Sequence, residues 1–105
     1  MDKVRDKTLD IIKDFLDLLA KDKINIQKAY LYGSYANKSN NQYSDIDLAL
    51  VSDDFTGDLW EDRRQLREYK SLVSWDISPM PYKVSEFEIS QFAKDEIIGK
   101  GIRII

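Results

Sequence analysis

The stretch from Tyr30 to Val51 constrains this chain more than any other. It opens as a short apolar run, Tyr30-Leu31-Tyr32, and breaks at Gly33-Ser34. A polar segment rich in Asn and Ser follows. A second apolar run then begins with two aspartates one residue apart, Asp45 and Asp47. In a β-strand, residues i and i+2 share a face, so both carboxylates point the same way. Ile46, Leu48 and Leu50 take the other face and can be buried. Two adjacent carboxylates repel each other unless one is protonated or a cation lies between them. Aspartate oxygens, completed by phosphate oxygens, suit Mg2+. Gly33 after a strand lets backbone approach a ligand closely. A helix starting at Ser34 would offer free N–H groups and a favourable dipole to an anion. The stretch therefore reads as a triphosphate cradle followed by a metal clamp.

Composition narrows the chemistry further. The 105 residues contain no cysteine and no histidine. That removes thiol nucleophiles, Ser-His-Asp triads and zinc sites built on His or Cys. Chemistry must rest on Asp, Glu, Lys, Arg, Tyr, Ser or a bound metal. The length suits one domain spanning residues 1–105. A 43% hydrophobic and 33% charged composition is that of a soluble globular chain. No apolar run approaches the ~20 residues of a membrane span, and the N-terminus lacks a signal-like apolar region. Together with the lack of cysteine, this fits a cytoplasmic location. The net charge of −3 gives no general footprint for nucleic acid.

Along the chain, Asp2 to Leu19 reads as an amphipathic helix, with Val4, Thr8, Ile11, Ile12, Phe15, Leu18 and Leu19 at helical spacing. The first strand lies within Ile24–Tyr32 and is clearest over Ala29–Tyr32. A short helical turn is expected at Tyr35-Ala36-Asn37, a loop over Lys38–Ser44, and the second strand over Asp45–Val51. Asp58 or Thr56 can cap a helix from about Leu59 to Lys70, with Leu59, Leu66, Tyr69 and Trp60 facing inward. Leu72–Ser78 reads as a third strand, ended by Pro79 and Pro81. Phe87, Phe92, Ile97 and Ile98 mark a C-terminal helical region of two short helices, stopped by Gly99 and Gly101. Ile102–Ile105 is expected to add an edge strand open to pairing with a second copy. If two of Trp60, Tyr43 and Tyr82 share an exposed surface, they mark a partner interface.

Gly33-Ser34, ten residues, and then Asp45-Ile46-Asp47-Leu48 resembles the signature of the DNA polymerase β-like nucleotidyltransferase superfamily, and within it the minimal nucleotidyltransferases. The resemblance covers nearly the whole chain, from the opening helix through Ala29–Ser34 and Ser44–Val51 to the segment around Asp76 and the ending Ile97–Ile102. It implies an α/β (α+β) nucleotidyltransferase fold, a small mixed sheet flanked by helices in αβαβαβ order. It also implies a third carboxylate on a following strand, for which Asp76 is the one acid in its segment. In that scheme Asp45 and Asp47 bridge two Mg2+ ions, spaced ~3.5–4 Å in such sites, and Asp76 ligates one of them and accepts the proton. Gly33, Ser34 and Lys38 bind the nucleotide. Many members carry a basic residue and then Gly after Gly-Ser-x-Ala; here those places hold Asn37 and Lys38. Arg63, Arg64 and Arg67 are further candidate phosphate partners. A P-loop reading of Gly33–Ser39 fails because Asn37 sits where the second Gly belongs.

The implied activity is transfer of a nucleoside monophosphate, AMP from ATP, to a hydroxyl. Minimal nucleotidyltransferases often pair with a small helical HEPN protein, and some act as antitoxins that adenylylate a tyrosine on it. The alternative is a binding module that neutralises its partner by contact alone, which the Asn37-Lys38 departure favours. Polymerisation on nucleic acid is disfavoured by the acidic charge.

Overall fold

In the computed structural model, which describes residues 6–33 and 45–105, the apolar periodicities resolve into a four-stranded mixed sheet with helices on both faces. Helix α1 (Asp6–Lys21) buries Thr8, Ile12, Phe15 and Leu19, one stripe at i, i+4, i+7 and i+11. Strand β1 (Lys28–Tyr32) pairs antiparallel with β2 (Ile46–Val51), bringing Tyr32 opposite Asp47 and Tyr30 opposite Ala49. Helix α2 (Leu59–Lys70) starts where the Asp58 side chain accepts the N–H groups of Trp60 and Glu61 at 3.0 and 3.2 Å. Strand β3 (Ile77–Tyr82) then returns parallel to β2. Helix α3 (Val84–Ile89), a π-helix (Ala93–Ile98) and β4 (Ile102–Arg103) complete the chain. The strand order is β3-β2-β1-β4. The expected helical turn at 35–37 lies outside the described residues, so among those described two strands follow α1 without a helix between them.

The sheet separates two cores. Ala29, Leu31, Ile46, Leu48, Leu50 and Ile77 face α1 and α2, packing with Ile12, Phe15, Leu19 and Leu66. On the other face Tyr30, Ala49 and Val51 pack with Phe87, Ala93 and Ile97. Tyr82 and Phe87 meet edge to face, with ring centroids 5.3 Å apart. From Ile46 to Val51 every residue of β2 is buried except Asp47. The central strand is thus covered on both sides except at one position, Asp47.

Three expectations need correction. The third strand is Ile77–Tyr82, not Leu72–Ser78. Leu72 and Val73 are consumed by turns closing α2, in which their N–H groups donate to the carbonyls of Tyr69 and Lys70 at 3.1 and 2.9 Å. Pro79 and Pro81 lie inside the strand rather than ending it. In this parallel ladder Ile46 N–H donates to Asp76 O and Ser52 N–H to Tyr82 O. By the two-residue period, the even positions of β3 face β2 and the odd positions point to the outer rim, where a missing N–H breaks no ladder bond. Leu59 and Trp60 do not face inward: they are 46% and 77% exposed. The buried member of that first turn is Asp62, at 3%. Its carboxylate accepts Thr56 N–H and Oγ–H, both at 2.9 Å, and Gly57 N–H at 3.1 Å, fastening the β2–α2 connection.

Candidate active site

The uncovered face of β2 is organised by register. Asp47 stands between Tyr32 on β1 and Ser78 on β3. Continuing that pairing one residue outward sets Asp45 beside Asp76, and the Ile46 N–H to Asp76 O bond of 2.8 Å ties the two segments there. Asp45 and Asp76 are exposed, and Asp47 is half-buried. Asp47 thus lies on the side of β2 opposite Ile46 and Leu48, as the alternation demands, and the Asp45 and Asp76 backbones adjoin at the same end of the sheet.

Gly33 bounds Asp47 on the β1 side. It adopts φ +72, a left-handed conformation natural to glycine. A Cβ at this position would collide with an Asp47 carboxylate oxygen. The glycine is thus required twice, by its backbone angle and by the carboxylate lying against it. Ser34 and Lys38, the other two expected nucleotide ligands, lie outside the described residues, as do Asn37 and Tyr43.

Electrostatics agree with a cation-seeking pair. Partial burial, and then the charge of Asp45, raise the Asp47 carboxyl above its ordinary range. Burial, followed by the Asp47 and Tyr82 charges, pushes the Tyr32 hydroxyl up to about 12, against a lowering by Arg63. Tyr32 is accordingly a neutral hydroxyl beside the carboxylates at physiological pH. Among the described residues, no three acidic side chains group closely enough to hold a metal ion together. The residues that could hold a cation are Asp45 and Asp47, with Asp76 on the turn before β3. Two hard carboxylates that repel each other fit Mg2+, an ion commonly held by one or two carboxylates with phosphate and water oxygens.

The β3 side is basic. Arg63, Arg67 and Lys70 of α2 line a narrow cleft against Ser78 and Pro79. Sequence reasoning named Arg63 and Arg67 as phosphate partners but missed Lys70. Lys70 donates to Ile77 O at 2.9 Å and sits 5.6 Å from the Trp75 ring centre. Arg64 is drawn away by Glu61 at 2.8 Å and Glu68 at 4.0 Å.

A family model described as "Polymerase beta, Nucleotidyltransferase" matches residues 13–105. A comparison with curated proteins returns no match. Among solved structures the chain is similar to a Sulfolobus solfataricus protein taken to be a nucleotidyltransferase, with TM-score 0.66 and 16% identity over 92% of this chain and 78% of that one. It is also similar to a toxin-antitoxin structure with AMP-PNP, with TM-score 0.56 and 22% identity over 87% of this chain and 69% of that one. A mutant of the toxin-antitoxin MntA-HpeT gives TM-score 0.57 and 23% identity over 90% and 71%. These likenesses at low identity concern the fold, which they share. With the family model running from within α1 to the last residue, the chain belongs to the polymerase beta nucleotidyltransferase family.

Proposed function

We propose that this chain is a metal-dependent nucleotidyltransferase that transfers AMP from ATP to a hydroxyl on a protein partner, a tyrosine of a HEPN-type toxin, and so acts as an antitoxin. The observation that carries the reading is the arrangement around β2: Asp47 pressed on Gly33, raised by Asp45, at the one open position of an otherwise buried strand. The toxin-antitoxin structures among its relatives, one of them with AMP-PNP, support the choice of partner and nucleotide.

The acceptor oxygen attacks the α-phosphorus. The bond from that phosphorus to the bridging oxygen breaks, and pyrophosphate leaves with the electron pair. Asp45 and Asp47 would hold Mg2+, which when bound supplies Lewis-acid neutralisation of the phosphate charge. Gly33 keeps backbone close to Asp47 and leaves room for the nucleotide. Asp76, beside Asp45, takes the hydroxyl proton. Ser34 and Lys38 contribute phosphate contacts.

The test is incubation with labelled ATP, Mg2+ and the helical partner, with transfer read by mass spectrometry. AMP should move to a partner hydroxyl. The Asp45→Asn, Asp47→Asn double variant should lose more than the ~10–100-fold that outer-shell partners of a metal cost. A second reading, a module that neutralises its partner by contact alone, is favoured by the exposed Leu59, Trp60 and Ile89. Tight complex formation without label transfer would select it.

A further inference from the structure

The carboxylate pair has two flanks of different character. On the β1 side Gly33 leaves only backbone against Asp47. On the β3 side Ser78 is the neighbour of Asp47 and opens into the cleft lined by Arg63, Arg67 and Lys70. The same two arginines, with Arg64, also line a wider groove of about 480 Å³ that runs along α2 to Leu59 and Trp60. Arg63, Arg67 and Lys70 fall at i, i+4 and i+7, one stripe of the helix. From Trp60 to Arg67 the helix advances roughly 10 Å at about 1.5 Å per residue, the length of about three extended residues.

Among the described residues, no carboxylate lines either hollow. Glu61 and Glu68 are engaged with Arg64. Lys70 is fixed by Ile77 O and the Trp75 ring, so its charge has a set position. The chain as a whole is acidic at −3, which makes the concentration of cations here local. Complementarity of this kind selects partners by charge.

We propose that the α2–β3 cleft is the acceptor subsite and that it selects a protein segment whose modified hydroxyl is flanked by carboxylate side chains. This rests on the nucleotidyltransferase reading and adds the chemistry of the acceptor. The hydroxyl sits over Ser78, beside Asp47 and Asp76, and the neighbouring carboxylates lie on Arg63, Arg67 and Lys70. Trp60 and Leu59, both exposed, take an apolar residue further along the groove. A long polyanion suits the surface less well, because the cationic stripe is short and lies on an acidic molecule.

The chain has two tryptophans, Trp60 and Trp75, and both border this region. Intrinsic fluorescence therefore reports binding without any need for turnover. The probes are three peptides of equal length with a central tyrosine flanked by glutamates, by glutamines or by lysines. The glutamate peptide should bind at least about tenfold more tightly than the glutamine peptide, with the lysine peptide weakest. The Arg63→Glu, Arg67→Glu variant, checked for fold by circular dichroism, should reverse that order, and Arg63→Ala, Arg67→Ala should flatten it. Equal binding of the three peptides would overturn the proposal. So would an order unchanged in the variants, displacement of the glutamate peptide by ATP, or tighter binding of a single-stranded oligonucleotide. If the glutamate peptide binds as expected but receives no AMP with labelled ATP and Mg2+, the subsite stands and the catalytic reading falls.

Discussion

At the scale of single residues, Asp47 is held in a place that disfavours its charge. Burial and Asp45 raise its pKa in the folded chain. A carboxyl raised above its unfolded value contributes stability that is complete below the unfolded pKa, about 3.9, and is lost as pH rises through the folded one. Asp47→Asn stays neutral throughout. In EDTA at pH 7 the variant should therefore melt above the parent by about 2–4 °C, the scale of a fraction of a kcal/mol for a chain this size after solvent screening. The two should converge near pH 3, and Mg2+ should raise the parent alone. An equal or lower melting temperature for the variant at pH 7 would remove the argument that a cation relieves this pair.

At the scale of elements, Asp62 shows what a sequence hides. It reads as one more charge on a helix that also carries Glu61, Arg63 and Arg64. Its burial depends on Thr56 and Gly57 turning back to supply three donors, which the helical period does not record. Asp62→Ala should cost roughly 2–4 kcal/mol, since bonds to a charged acceptor are lost and buried donors are left unpaired. Urea unfolding measures this, and a cost under about 1 kcal/mol would mean that the connection holds by other means. Strands β1 and β2, α1, α2 and both C-terminal helical segments were legible because period and caps agree there. The placement of Asp45 and Asp47 at the start of β2 was legible for the same reason, as was the break of β1 at Gly33. Strand β3 was misplaced because its two prolines look like terminators, and only the parallel pairing with β2 shows which N–H groups the ladder needs. Lys70 escaped notice because its position depends on a carbonyl and a tryptophan seven and five residues away.

At the scale of the molecule, one sheet serves two cores, and no helix among the described residues is long and apolar enough to cross a membrane. Strands β1 and β2 contribute to both faces, so neither core can melt without the other. Leu48→Ala on the α1 side should cost about 2–5 kcal/mol. It should lower the transitions seen by far-ultraviolet circular dichroism and by tryptophan fluorescence by equal amounts. Separate midpoints would show that the two faces unfold independently.

The rim of β3 has a consequence for how this protein meets others. Of its three outward positions, Ile77 spends its N–H on Ser74 O at 3.4 Å, and Pro79 and Pro81 have none to offer. Lys70 also occupies Ile77 O. The sheet edge nearest the candidate site therefore offers a foreign strand the carbonyls of Pro79 and Pro81 but no free backbone donor, so only half of a ladder can form along it. Whatever approaches the carboxylates from this side is recognised chiefly through side chains. A flat or misfolded chain therefore gains little by adding itself to this edge as a further strand.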